Sequence, residues 1–290
     1  MDYVLHIAVL VGIYVAVATS LDLLAGQTGL VSLCHAAFFG IGAYTASLLM
    51  LRSGMPFLLC AVGGMVLAAL LSLVVSVPSL RLRDDYFVIA TLGFQLIAFS
   101  VLNNWTGITR GSIGLTEIPA ASLFGVVIQS RGAWVLVSFT CAALSLGVAT
   151  LIVRSPFGRV LRAIREDEAF AQSLGKNTVA CKVLIFSVSA ALAGGAGAAY
   201  GSYMGAINPA SFTIMDSVMV LSMVIIGGAG RLTGAGVGAF LLIAMPEALR
   251  FTQVSNVTAA NLRQIFYGGG MMLLMFFRPQ GLIGRYSFRR

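Results

Sequence analysis

Charge is the scarcest property of this chain. Only 10% of its 290 residues are charged while 59% are hydrophobic, against roughly a quarter charged in an ordinary soluble domain. A water-soluble globule with that balance would be coated in apolar surface, so composition excludes one. Cysteine is sparse as well: Cys34, Cys60, Cys141 and Cys181 lie in or beside apolar stretches without paired or metal-ligand spacing. They read as packing residues, and no metal site is expected. No Walker motif occurs, so ATP and Mg are not expected to bind this chain. No grouping of nucleophile, base and ligand residues suggests an enzyme either. The amino terminus lacks the basic n-region of a cleavable signal; Met1 to Leu24 starts with the acidic Asp2 and carries a long apolar part, which reads as a retained first helix.

What the chain has in abundance is long apolar runs, and about 20 helical residues cross a bilayer core. Windows between charged or Gly/Pro-rich breaks predict spans near 4–22, 28–50, 56–78, 86–102, 133–153, 183–205, 214–229, 236–250 and 262–277. A short apolar piece, 118–130, reads as re-entrant or interfacial. The expected fold is therefore all-α: a polytopic integral membrane protein of about nine to ten transmembrane helices, forming one domain over residues 1–290.

The formal net charge of +8 points to loop sidedness and not to nucleic acid, because cytoplasmic loops of membrane proteins are rich in Lys and Arg. With the charged segment 154–182 placed in the cytoplasm and sides alternated outward, the inside loops hold Arg81, Arg83, Arg154, Arg159, Arg162, Arg165, Lys176, Lys182, Arg231, Arg278, Arg285, Arg289 and Arg290. The outside ones hold Arg52, Arg110, Arg131, Arg250 and Arg263. This bias predicts a cytoplasmic C-terminus and, with nine crossings, an external N-terminus.

Residues 154–182 form the one long hydrophilic segment. Ser155 and Pro156 suit a helix start. Phe157, Val160, Leu161 and Ile164 then recur at helical spacing, with Arg159, Arg162 and Arg165 expected to turn away from them. Glu166, Asp167 and Glu168 open a second short helical pattern that Gly175 stops. The segment is either a solvated connector or a docking helix for a cytoplasmic partner.

Polar and small residues inside apolar stretches are the remaining candidates. Gly197, Gly201 and Gly205, and again Gly230, Gly234 and Gly238, repeat every four residues, a spacing that lets membrane helices approach closely; helix packing is their expected role. Gly26, Gln27, Thr28 and Gly29 combine backbone freedom with an amide. They mark either a tight cytoplasmic turn or a re-entrant segment lining a pathway, since unwound backbone at membrane depth must be buried or wet. His35, with Ser32 on its face, is read as a packing residue or a solute ligand facing the bundle interior. Gln95, Asn208 and Asp216 complete the set; Asp216 is expected to complement a helix dipole, or alternatively to border the solute path.

Several of these motifs together resemble one family. "GQTGLVSLCHAAFFGIGAY", "DDYFVIATLGFQ", "FGRVLRAIREDEAFAQSLG", "MVIIGGAGRLTGAGVGA" and "FRPQGLIG" are similar, in order, to the branched-chain amino acid permeases of bacterial ABC importers, and to the M-type half more than the H-type. "EAFAQSLG" resembles the Glu-Ala-Ala…Gly loop of ABC importer permeases. Phe170 stands where that loop has its second Ala, and Asp84–Asp85 where the family commonly has Gly-Asp.

The resemblance implies a permease subunit of an inner-membrane importer, without catalytic residues. Its implied partners are a second, H-type permease, two cytoplasmic ATPase subunits that hold ATP and Mg, a periplasmic solute-binding protein, and an amino-acid-like solute: leucine, isoleucine or valine, or else another amino acid, an amide or urea. It further implies that residues 166–175 couple to the ATPases, with Arg162, Arg165, Glu166, Asp167, Glu168, Ala169 and Gly175 in that loop. The alternative is a secondary transporter driven by an ion gradient, for which His35, Asp216 and Glu247 are the titratable candidates.

Overall fold

The computed structural model describes residues 2–80, 84–123, 126–128 and 130–250, with 268, 269, 272, 281 and 282. Three helices make its centre: α1 (Asp2–Thr28), α2 (His35–Ser53) and α9 (Thr178–Met204). At 1.5 Å per residue, the 27 residues of α1 and of α9 each reach about 40 Å, more than a hydrocarbon core of about 30 Å. Around them stand α3 (Phe57–Ser79), α4 (Asp84–Asn104) and α6 (Arg131–Arg154), then α10 (Ile214–Gly227) and α11 (Leu232–Arg250). Between α6 and α9 lie α7 (Pro156–Glu166) and α8 (Glu168–Ser173), and α5 (Thr106–Thr109) is a four-residue turn after α4.

Glycine sets how near the central helices come. In lipid no hydrophobic drive holds helices together, so dispersion between closely approaching backbones must serve. Gly42, Gly64 and Gly194 meet where α2, α3 and α9 cross: a Cβ on Gly64 would stand 2.9 Å from the Gly42 carbonyl, and one on Gly194 would stand 2.8 Å from Ala68 Cβ. Gly197 lies against the Phe39 carbonyl and Ala43, and Gly201 against Ser47. Gly238 abuts the Met223 carbonyl and Gly234 the Gly227 carbonyl, which closes α10 onto α11.

Two glycines depart from the packing expectation. Gly205 ends α9 at φ 68° with nothing within 4 Å of a would-be Cβ, so it is a left-handed cap of the kind that commonly ends helices. Gly230, at φ 86°, departs in belonging to the α10–α11 turn, yet it still packs closely: a Cβ there would stand 3.2 Å from the Gly26 carbonyl.

The outward faces stay apolar. Leu58, Val62, Leu70 and Val74 on α3, Ile89 and Ile97 on α4, and Leu136, Leu144 and Leu151 on α6 are exposed, as expected where lipid or a second membrane subunit lies alongside.

Among the described residues, seven helical stretches are long and apolar enough to cross a membrane, and Leu232–Ala244 is a shorter apolar one. The expectation of nine to ten includes the span 262–277, of which only three residues are described. Within 118–130 the described residues carry an antiparallel pairing of β1 (Ser122–Leu123) with β2 (Val126–Val127). Its approach is tied down by the Leu115–Ile207 bridge and by the Ile118 N–H donated to the Gly205 carbonyl. The predicted span 262–277 lies outside the described residues apart from Gly268, Gly269 and Met272.

Contacts fix the relative direction of the helices. His35 meets Ser189, and Ser47 meets Gly201, so α2 and α9 run parallel; His6 meets Tyr203 and Ser20 meets Ser189, so α1 runs against them. The ends of α1, α6 and α10 and the start of α9 therefore gather at one end of the bundle, beside α7. Leu282 sits there too, its N–H donating to the Ile226 carbonyl at 2.9 Å.

Candidate functional site: interior break and α7–α8 projection

The glycine-rich stretch after α1 resolves into two parts. Gly26, Gln27 and Thr28 still belong to the helix; the chain turns at Gly29, φ 79°, and residues 29–34 are non-helical. They do not stay at the α7 end. His35, the first residue of α2, touches Ser189, and the eleven steps from Thr178 to Ser189 rise about 16 Å along α9. Thus α2 begins near the middle of the bundle, and the chain from 29 to 34 climbs there through protein.

Such backbone needs partners away from water, and nearby side chains supply them. The Leu30 N–H donates to Thr28 Oγ1 (3.4 Å), that of Leu33 to Thr91 Oγ1 (3.2 Å) and that of Cys34 to Ser32 Oγ (3.4 Å). The orphan N–H groups of the first turn of α2 are met from other helices: Ala36 N–H donates to Ser217 Oγ (3.0 Å) and Ala37 N–H to Gln95 Oε1 (2.8 Å). Gln95 also takes a bond from Ser217 Oγ (3.0 Å) and donates through Nε2 to the Phe212 carbonyl (2.9 Å). His35 Nε2 lies 2.8 Å from Ser189 Oγ, which donates to the Ser20 carbonyl, and His35 Nδ1 lies 3.3 Å from Ser32 Oγ. His35, Gln95, Ser32, Ser189 and Ser217 are all fully buried.

A second break faces the first. The chain leaves α9 at Gly205, passes through a short 3-10 turn at Pro209–Ser211, and starts α10 at Ile214. Asp216 accepts from the N–H and the hydroxyl of Thr213 (2.8 and 2.7 Å). This closes the first turn and places a carboxylate at a positive helix end. Asn208, by contrast, is exposed and bonds only locally, to Ser211. Two helix starts, those of α2 and α10, thus meet in the interior and are joined through Gln95 and Ser217.

At the α7 end, the amphipathic pattern folds as its spacing indicates. The Ser155 hydroxyl caps α7 by accepting the Gly158 N–H (3.3 Å), and Leu161 and Ile164 are buried. Arg165, expected to turn away from the apolar face of α7, is half-buried and its Nη1 donates to the Gly26 carbonyl at the end of α1. Asp167 caps α8 by accepting the Phe170 N–H (2.9 Å), and Gly175 at φ 75° ends it. Glu168 reaches Lys182 on α9 at 2.7 Å, so it holds α8 to the bundle. Ala169, Glu166 and Asp167 are exposed, Arg162 is half-buried, and Phe170 and Leu174 present 60% and 62% of their surface.

Sequence reasoning missed Asp22, Lys182, Ser189 and Ser217 as site residues. Asp22 carried a signal: it is an acid inside the first apolar run, at the limit of the predicted span. The serines carried none, because serine amid apolar residues is common in packed membrane helices.

The model of the family described as the branched-chain amino acid transport system permease component matches residues 3–275. The chain belongs to this family. Its relatives include the high-affinity branched-chain amino acid transport system permease protein LivM of Escherichia coli K12, 35% identical over 96% of this chain and 69% of the relative. LivH of the same organism is 27% identical over 94% of this chain and 91% of its own length. BraD of Pseudomonas aeruginosa is 30% identical over 57% of this chain and 51% of BraD. No solved structure matches. A branched-chain permease subunit of the ABC importer type accounts for the seven apolar helices; its relatives are transport subunits, not enzymes.

Proposed function

We propose that this chain is the M-type half of the membrane pathway of a binding-protein-dependent ABC importer in a bacterial inner membrane. Its cargo is branched-chain amino acids or a related small solute. The other half is an H-type permease, two cytoplasmic ATPase subunits supply the energy, and a periplasmic protein delivers the solute. In this reading the α7 end faces the cytoplasm, Leu282 with it, and α8 is the element that seats in the ATPases.

The observation that carries the reading is the apolar pair Phe170 and Leu174, exposed four residues apart and therefore on one face. The short helix that bears Phe170, with Leu174 as its C-terminal cap, is held at its start by the Asp167 cap and the Glu168–Lys182 ion pair and near its end by Gln172 Nε2 donating to Thr178 Oγ1 at 3.0 Å. A firmly held helix offering an aromatic and a leucine fits the anchor chemistry of protein interfaces. Phe170, the departure from the general importer loop, is on this view the anchor itself.

The solute passes along the interface with the second permease, and selection rests with the binding protein. Support comes from the polar groups: the buried His35 and Gln95 and the half-buried Asp216 each have bonds within the chain. The same bonds speak against a gradient-driven carrier using His35 or Asp216; the side chain of Glu247 lies outside the described residues.

The test is to tag the chain, extract it gently and identify what remains bound by mass spectrometry. Two ATPase polypeptides, or one in double dose, with a second permease are expected, and Phe170→Asp with Leu174→Asp is expected to release the ATPases while keeping the permease partner. A chain that purifies alone and drives uptake in vesicles without ATP would sink the proposal.

A further inference from the structure

At the α7 end three segments distant in sequence converge on one buried carboxylate. Asp22, fully buried on α1, accepts the Gly230 N–H through Oδ1 at 2.7 Å, while its Oδ2 has no hydrogen-bond partner. Gly230 forms the turn between α10 and α11, and its carbonyl takes a bond from Gln27 Nε2 at 3.4 Å. Arg165, in the last turn of α7, donates to the Gly26 carbonyl, an acceptor that α1 leaves orphaned at its C-terminal end. Its Cγ lies 3.2 Å from where a Gly29 Cβ would stand and its Nη1 3.3 Å from a would-be Gly230 Cβ. Arg165 and Asp22 thus meet at Gly230, one beside its would-be Cβ and the other on its N–H.

A guanidinium at a helix C-terminus meets both the dipole and the free carbonyls. A buried carboxylate needs a nearby cation, because an uncompensated charge away from water is costly. Each of the three segments therefore depends on the other two. One bears the pathway break at Gly29, one ends α10, whose first turn meets α2, and one runs directly into α8.

We propose that Asp22, Arg165 and the Gly230 backbone form the joint that carries movement of α7 and α8 into the pathway. Asp22 is the buried anchor and Arg165 a positioning residue that acts through the Gly26 carbonyl. Drawing α8 toward or away from the membrane pulls α1 and the α10–α11 turn together, so both helix starts in the interior are moved by one lever. This inference rests on α8 being the ATPase-contacting element.

The experiment uses the whole importer reconstituted in vesicles with ATP supplied to the ATPase side, measuring solute uptake, ATP hydrolysis and subunit co-purification in the same preparations. Arg165→Gln, Asp22→Asn and Gly230→Ala are compared; the last introduces a methyl that crowds Arg165 without altering charge. Co-purified ATPases and ATP hydrolysis within about twofold of the native complex, with uptake per ATP lowered at least about tenfold, are expected for all three. Uptake per ATP unchanged in Arg165→Gln and Gly230→Ala, or uptake and hydrolysis falling in parallel, would overturn the joint. Should Asp22→Asn fail to assemble, the other two decide. Failure of the α8 assignment is separable, since it appears as ATPases retained by the Phe170→Asp, Leu174→Asp variant.

Discussion

Replacing Gln95 with leucine keeps the volume and removes every polar atom at the point where the two interior helix starts are joined. Three bonds vanish: to the Phe212 carbonyl, from the Ala37 N–H and from the Ser217 hydroxyl. Ala37 keeps a second acceptor, the Cys34 carbonyl at 3.1 Å, so two groups lose a buried partner. At about 1–3 kcal/mol per orphaned buried group the loss would be about 2–6 kcal/mol; membrane-embedded bonds average nearer 0.6 kcal/mol, which draws the expectation toward the lower half, about 2–3 kcal/mol. For a chain of this size that corresponds to a melting temperature lower by roughly 5–10 °C. The assay is thermal unfolding in detergent, read by a thiol-reactive dye in a background where the half-buried Cys141 and Cys181 are serine. Cys34 and Cys60, both fully buried, then report the opening of the core. Asn104→Leu is the control: Asn104 bonds only to Ser100, one turn back, and a shift within about 0.5 kcal/mol is expected. A Gln95→Leu protein melting within about 2 °C of the native one would refute the claim that Gln95 joins the two starts.

Glu168 separates two roles. Glu168→Gln retains a bond to Lys182 and should keep the ATPases in co-purification, whereas Glu168→Lys sets a like charge against a Lys182 side chain only 5% exposed. It should free α8 at a cost of about 1–3 kcal/mol, discounted from the fully buried case because Glu168 is partly in water, and abolish that co-purification. Gly197→Leu drives a side chain into the Phe39 carbonyl and Ala43, and recovery as a monodisperse peak in size-exclusion chromatography should collapse. Gly205→Ala, which meets nothing within 4 Å, pays only the strain of its left-handed backbone, about 1 kcal/mol, and should be recovered normally.

Helix type and order were legible because apolar runs of about 20 residues admit few other solutions. The loop 154–182 was legible for the opposite reason: it is the one place where polar residues return with a 3.6 period, and Ser155, Asp167 and Gly175 punctuate it as caps do. What stayed hidden depends on partners far along the chain. Nothing near His35 says that Ser189 will sit beside it, and nothing near Arg165 says that the Gly26 carbonyl is within reach; a three-residue period put Arg165 on the solvent side with Arg159 and Arg162. The segment after Gly29 was ambiguous because a turn and a climb into the bundle use the same residues. Only the depth of Ser189 on α9 distinguishes them. The form of residues 118–130 stayed open because apolarity alone, without helical length, does not choose between a helix and a pinned hairpin.

The meeting of α2 with α10 has a consequence for how the protein is made. The Ala36 N–H finds its acceptor on Ser217, 181 residues later in the chain. At about 5–20 residues per second of synthesis, roughly 10–40 s pass between the emergence of the two. Throughout that interval the open end of α2 has no permanent acceptor from α10, and the insertion machinery, water in its channel or a neighbouring loop must stand in. A mutation that delays α10 should therefore be felt first as degradation of the half-made chain at α2, long before any step of transport is reached.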